Sequence, residues 1–194
     1  MNNMKDMKDI NTKPYDIKLS SLPNEIQSSK ELRSLPLGMS DGVIKKSLTV
    51  LEQTLVDSYM LYSMYKKHHW QLLGPTFYQL HLLFDKHAEE QLELIDTLAE
   101  RMQLLGGEAV AMPQDIVERT KIDKAPKGAE TVPAMITRLM NAHQVVIEDT
   151  RKGIEETEDS KDYGTNDLFV SQVLRTNELQ LWFLSSHLVD VKLA

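Results

Sequence analysis

The chain has 194 residues, no cysteine and a formal net charge of −7 at pH 7. This length suffices for one domain with a well-buried core, and the lack of cysteine excludes disulfides, thiolate zinc sites and thiol catalysis. The acidic balance argues against a body built to bind nucleic-acid phosphates. The first ten residues lack the apolar core of a signal peptide, and no run is apolar enough to span a membrane, so a cytoplasmic protein is expected.

Residues 1–42 form the first segment and mix Asn, Ser, Lys, Asp and Pro without helical periodicity. This composition predicts a flexible N-terminal arm, extended or partly disordered. Four lysines and three aspartates leave residues 1–20 with a single net positive charge. DNA binding would have to come from this weakly basic tail, so it is expected to be weak or absent.

Two long helices are predicted next. The first begins near Gly42 behind a Ser-Asp cap, shows one apolar stripe at steps of three, four and seven residues, and ends at Gly74-Pro75. Thr76 can cap the second, which runs to Leu105 and ends at a Gly-Gly pair.

A connection of about two dozen residues follows, with room for a short helix at 114–119. A third helix opens at Thr131 with Pro133 in its first turn, and a fourth runs from about residue 166 to about residue 191. No segment alternates like a strand. Short turns with one long connection predict an all-α, ferritin-like four-helix bundle over residues 43–194, whose crossover between helices two and three carries the short extra helix.

Five side chains of metal-ligand type lie within residues 66–101: His69, His81, Asp85, Asp96 and Glu100. An α-helix turns by about 100° per residue, so the four ligand-type side chains on the second helix lie along one face of it. Yet His81 and Asp96 are 15 residues apart, which is about 22 Å along a helix. Metal–ligand bonds are about 2.0–2.3 Å. One straight helix therefore cannot close these residues around one ion.

Two arrangements could supply the missing ligands. Another helix could contribute them, or a second copy of this helix could pack antiparallel about a two-fold axis, with the His81 end opposite the partner's Glu100. His69 could then lean over the His81 end. The ordinary alternative is that Asp96 and Glu100 form solvated ion pairs, for example with Arg101, and that His81 is a hydrogen-bonded core residue.

The motifs of this block resemble those of the Dps family, the ferritin-like DNA-binding proteins from starved cells. The family pattern is met by His69-Trp70, Gly74, Phe77, Leu80-His81, Phe84-Asp85, Asp96 and Ala99-Glu100-Arg101. The similarity covers about residues 44–190. Asn177 departs from the family pattern, which often has a histidine at this position, directly before the glutamate. No histidine here has Glu three residues before it, which disfavours a classical di-iron bundle.

The resemblance implies a ferroxidase site between subunits, with His69, His81 and Asp85 from one chain and Asp96 and Glu100 from its two-fold mate. Such ligands suit iron, with zinc as a substitute occupant. It further implies a hollow dodecamer that oxidises Fe(II) to Fe(III), with hydrogen peroxide or oxygen as oxidant, stores ferric mineral and thereby protects DNA. Two rivals stay open: a DNA-compacting protein with secondary ferroxidase activity, and a zinc-occupied structural assembly.

Two aspartates before the fourth helix suggest a further site. Three copies each of Asp162 and Asp167 around a three-fold axis would make carboxylate rings that attract cations. Alternatively, Asp162 caps the turn and Asp167 complements the helix dipole; the resemblance favours the pore.

The remaining histidines are interpreted by their helix positions. His68 is expected to face solvent or to support the ligand beside it, and His87 to lie on the surface. His143 lies on an apolar stripe, which is typical of a buried structural histidine.

Overall fold

The computed structural model describes residues 26–29 and 31–189, and all the regular elements in those ranges are helical. The elements are α1 (Asp41–Gln71), α2 (Phe77–Leu104), α3 (Pro113–Arg119), α4 (Val132–Asp159), α5 (Tyr163–Leu168), a π-helical segment (Phe169–Leu174) and α6 (Arg175–Ser186). The all-α prediction is confirmed. Within the described ranges, no helix combines the length and apolarity that crossing a membrane requires.

Contacts between helices establish their directions. Tyr65, late in α1, contacts His87 in the first half of α2 and His143 in the first half of α4. Lys46, early in α1, pairs with Glu156 near the end of α4. Helix α1 is therefore antiparallel to α4, and the short turn after Gln71 makes it antiparallel to α2. Helices α2 and α4 are consequently parallel, as the long crossover predicts for a ferritin-like bundle.

The starts of α1 to α4 lie within one residue of their predicted positions. Ser40 caps α1, because its hydroxyl accepts a hydrogen bond from Val43 N at 3.4 Å. Gly106 adopts a φ of +81° just after α2, a conformation that glycine reaches without strain, and Gly107 N donates to Met102 O at 3.0 Å to close the helix end.

The fourth predicted helix differs in its bounds from the prediction. It begins at Tyr163 rather than near residue 166, because Asp162 caps it by accepting from Thr165 N at 3.1 Å. It ends at Ser186, short of residue 191, which lies outside the described residues.

The middle of this stretch is π-helical, which sequence periodicity does not reveal. A π-helix has a wider turn than an α-helix, so it changes which residues face the core downstream. Asn177 and Gln180 are consequently fully buried, whereas the apolar Val170, Leu174 and Leu181 are only partly buried. Two polar amides thereby enter the centre of the bundle.

Candidate metal centre

His69 and His81 form a reciprocal pair between the end of α1 and the start of α2. His69 Nδ1 lies 2.8 Å from His81 O, and His81 Nδ1 lies 3.1 Å from His69 O. A carbonyl only accepts, so both Nδ1 atoms donate, and Nε2 is the ring atom that can bind a metal in the neutral imidazole. This is the arrangement in which a backbone carbonyl orients a metal-binding imidazole.

Ring stacking fixes the orientation of the two imidazoles. The His69 and His81 rings stack at 3.7 Å between centroids with an 18° interplanar angle, and Phe77 stacks on the other histidine, His81, at 4.9 Å. Among the described residues, neither Nε2 atom has a hydrogen-bond partner. Two pre-oriented ligand atoms are thus available at the edge of the bundle.

Asp85 lies near this pair and binds a lysine. Its Oδ1 lies 3.8 Å from His69 Nε2 and accepts a hydrogen bond from Lys66 Nζ at 2.6 Å. That hydrogen bond holds the pKa of Asp85 below its ordinary value. The Lys66 ammonium also lies 5.8 Å from the centre of the Trp70 ring, a cation–π distance. A cation that binds Asp85 Oδ1 therefore competes with this ammonium.

Asp96 and Glu100 lie further along α2, and both are exposed. The predicted alternative of an ion pair with Arg101 does not occur, since Arg101 Nη2 lies 2.7 Å from Asp162 Oδ1 instead. Within the described ranges, neither carboxylate has a salt-bridge or hydrogen-bond partner. Those ranges also contain no group of three or more metal-ligand side chains close enough to hold an ion. The five predicted ligands therefore lie in two separate groups on one chain, with His69, His81 and Asp85 in the first and Asp96 and Glu100 in the second.

The prediction of His87 as a surface residue is wrong, since its side chain is buried, and the burial of His68 rules out the solvent-facing alternative for that residue. Burial lowers the pKa of each to about 4. His68 lies under the crossover, where Lys67 Nζ binds Glu130 at 3.1 Å and Arg138 Nε binds it at 2.8 Å. The burial of His143 is confirmed, and burial lowers its pKa to about 3.

His87 and His143 belong to a group of buried polar side chains at one level of the bundle, here called the core belt. Its members come from four long helices and are at most 1% exposed: Tyr65, His87, Gln91, His143, Asn177 and Gln180. None is a carboxylate, so the belt lacks the ligands with which di-iron bundles hold metal in their cores.

Hydrogen bonds assign the protons of the core belt. Asn177 Nδ2 donates to Val173 O at 2.8 Å, so its Oδ1 accepts from His143 Nδ1 at 2.9 Å. His143 Nε2 then accepts from the Tyr65 hydroxyl at 2.5 Å, and the Tyr65 oxygen accepts from His87 Nδ1 at 3.0 Å. Both histidines are neutral, and each serves to join helices.

The two aspartates of the predicted pore have different surroundings. Asp162 is 1% exposed, and its oxygens accept from Arg101, from Thr165 N and from the Thr165 hydroxyl. Burial alone would raise the pKa of Asp162, but these hydrogen bonds and the Arg101 charge hold it below its ordinary value. These are the contacts of the capping interpretation. Asp167 is exposed.

Sequence reasoning missed Lys66 and the core belt. Lys66 precedes His69 by three residues and therefore shares its helix face, which was a usable signal. Asn177 and Gln180 gave no comparable signal, because the π-helical segment that turns them towards the core has no periodic signature.

Comparison with known proteins agrees with the bundle and its crossover. Residues 48–194 match the family model of the ferritin-like domain. The DNA protection during starvation protein 2 of Bacillus anthracis is 30% identical, over 74% of this chain and 97% of its own length. The counterpart from Mycolicibacterium smegmatis is 31% identical, over 78% and 81%.

One solved structure is similar to this chain over nearly the whole length of the solved chain. DpsC from Streptomyces coelicolor has a TM-score of 0.84 and 47% sequence identity, covering 88% of this chain and 99% of that chain. An archaeal Dps homologue from Halobacterium salinarum has a TM-score of 0.83 at 28% identity, covering 89% and 96%. The chain belongs to the Dps family of ferritin-like proteins.

Proposed function

We propose that this protein is a ferroxidase and iron-storage protein whose catalytic centres form between two chains. The observation that carries this proposal is the reciprocal pair of His69 and His81, whose Nδ1 atoms are held by backbone carbonyls and whose His69 Nε2 lies 3.8 Å from Asp85 Oδ1. Imidazole and carboxylate ligands together suit Fe(II), which is the substrate, and leave coordination positions for an oxidant.

A two-fold arrangement supplies the remaining ligands. An antiparallel copy of α2 that brings His81 opposite the partner's Glu100 also brings Asp85 opposite the partner's Asp96. Each such dimer then has two equivalent centres. The exposed apolar side chains around the α1–α2 turn and along α2 support an interface there: Trp70, Leu73, Phe77, Tyr78, Leu82, Leu92 and Leu104.

The wider assembly follows from the family. We propose a dodecamer built from these dimers, acting in the cytoplasm with hydrogen peroxide as the preferred oxidant and storing ferric mineral in its hollow interior. Consuming Fe(II) and peroxide together suppresses hydroxyl-radical formation, which would protect DNA without binding it. Zinc with the same ligands would give a redox-inactive structural assembly, and the experiment below separates these possibilities.

Iron oxidation measured by stopped-flow absorbance, with peroxide and with oxygen, tests the proposal. Asp96→Asn is expected to slow the oxidation at least about 100-fold, because the carboxylate contacts the metal directly. Glu155→Gln, an exposed carboxylate on α4, is the control and should leave the rate unchanged. A wild-type protein that binds zinc but never oxidises Fe(II) would support the structural assembly instead.

DNA compaction is the alternative function. The net charge of −7 disfavours it, and the weakly basic tail of residues 1–20 lies outside the described residues. Gel-shift binding near neutral pH in 150 mM salt is expected to be weak or absent. Tight, salt-resistant binding without divalent cations would favour compaction as the main activity.

A pore for iron uptake stays a proposal that now depends on Asp167. Asp162 is committed to Arg101 and Thr165, whereas the Asp167 carboxylate is exposed at the start of the last helical stretch. Asp167→Asn should slow iron uptake by intact shells, since an acidic ring concentrates cations. Unchanged uptake would leave Asp167 with only the helix-dipole role.

A further inference from the structure

The N-terminal arm forms one wall of an open groove beside the last turns of α2. The groove has a volume of about 610 Å³ and is lined by Arg33, Leu35, Ala99, Glu100, Gln103 and Leu104. Glu100 is a ligand of the proposed metal centre. The arm therefore lies directly beside the half-site that the partner must complete.

This wall is attached at several points. Arg33 N donates to Gly106 O at 2.9 Å, and Arg33 Nη2 donates to Gln103 O at 3.2 Å. Further along, Ser29 Oγ donates to Glu108 at 2.8 Å. A Cβ atom on Gly106 would lie 2.2 Å from Arg33 O, so this close approach of the arm requires glycine.

The two-fold register identifies what faces the groove. The antiparallel pairing that sets His81 opposite the partner's Glu100 continues along the helix, and it sets Phe77 opposite the partner's Leu104. Both are large apolar side chains with substantial exposure, 43% for Phe77 and 59% for Leu104. Pairing them across the interface removes apolar surface from water on both chains.

We infer that the groove receives the partner subunit's Phe77, so that the arm residue Leu35 closes the Glu100 side of the metal centre. This inference rests on the proposed two-fold centre. Phe77 stacks on the ligand His81 within its own chain. The arm of one subunit thereby holds a ligand ring of the other, and the arm is part of the interface.

Cross-linking tests this contact directly, because the chain has no cysteine of its own. Leu35→Cys and Phe77→Cys are introduced into the same full-length chain, which is treated with a short bismaleimide. Leu35 lies beside the last turns of α2, and Phe77 is the first residue of that 28-residue helix. The helix is about 40 Å long, so a short link within one chain is excluded. The matched control is Leu37→Cys with Phe77→Cys, since Leu37 is as exposed as Leu35 but does not line the groove.

The expected product is a covalent dimer without larger cross-linked species, because a two-fold contact joins only two chains. The control pair should react much more slowly. Equal reaction of the two pairs, or no dimer from the Leu35 pair, overturns the inference.

A second pair of variants tests the arm contact independently of the proposed iron oxidation. Leu35→Asp should weaken dimer association, measured by native mass spectrometry, at least about tenfold, because it buries a charge, whereas Leu37→Asp should not. Cross-linking without any iron oxidation by the wild type would retain the arm contact and reject the ferroxidase function. Iron oxidation without cross-linking would retain the ferroxidase function and reject the arm contact.

Discussion

The core belt and the proposed metal centre both contain histidines, but the two regions use them differently. In the core belt, His143 has both ring nitrogens hydrogen-bonded to side chains and has no exposed surface. At the proposed metal centre, His69 and His81 each donate Nδ1–H to a backbone carbonyl, and among the described residues neither Nε2 atom has a hydrogen-bond partner. This difference is why we propose His69 and His81, and not His143, as metal ligands.

The carboxylates show the same contrast. Asp162 is buried and accepts hydrogen bonds from Arg101 and Thr165, so its charge stabilises the fold. Asp96 and Glu100 are exposed on α2 without a partner in the described part of the chain. Asp162 thereby joins α2 to the turn before α5, whereas Asp96 and Glu100 remain exposed to solvent on α2.

The largest expected effect is acid destabilisation through the core belt. The pKa of His143 is lowered from 6.5 to about 3 by burial, so the unfolded chain binds more protons between those values. Stability is therefore fully present above pH 6.5 and falls as the pH drops towards 3, by about 4 kcal/mol for this residue. Chemical denaturation from pH 7 to pH 4 measures it.

His143→Gln should make this pH dependence shallower without abolishing it, because burial also lowers the pKa of His68 and His87, to about 4. His187→Gln, at the exposed C-cap of α6, is the control and should keep the wild-type profile. A His143→Gln profile as steep as the wild type would show that other groups determine acid stability.

A smaller effect is expected from Tyr65→Phe. Losing the hydroxyl leaves His143 Nε2 and His87 Nδ1 buried without their partner, which should cost about 2–3 kcal/mol of unfolding free energy. Iron binding should survive, because no ligand atom is removed. Tyr78→Phe, on an exposed tyrosine, is the matched control in urea denaturation. Equal losses in the two variants would contradict the role assigned to the core belt.

The smallest effect concerns the lysine at the metal centre. Lys66→Gln should tighten Fe(II) binding about two- to fivefold, because the metal no longer displaces an ammonium, and a partly exposed ion pair contributes at most about 1 kcal/mol. Lys86→Gln, which removes an ion pair with Glu90 elsewhere on α2, serves as control in anaerobic Fe(II) titrations. Weaker binding in Lys66→Gln would instead make Lys66 a support for the ligands.

Much of this architecture was predictable from the sequence, because caps and apolar periodicity are local signals. Gly42, Thr76 and Thr131 marked helix starts within one residue of those observed. The π-helical segment and the burial of His68 were not predictable, since they depend on packing against α4 and the crossover. The family resemblance suggested the five ligands. Spacing alone could not show that the backbone carbonyls of His69 and His81 orient each other's imidazole rings.

Mixing two inactive variants tests the central claim, that each metal centre spans two chains. His81→Ala and Glu100→Ala subunits are co-refolded in equal amounts, and iron oxidation is compared with that of each parent. In a mixed dimer, one of the two centres keeps every ligand, so about a quarter of all centres should be restored. Oxidation no faster than that of either parent would contradict the claim and place the whole centre within one chain.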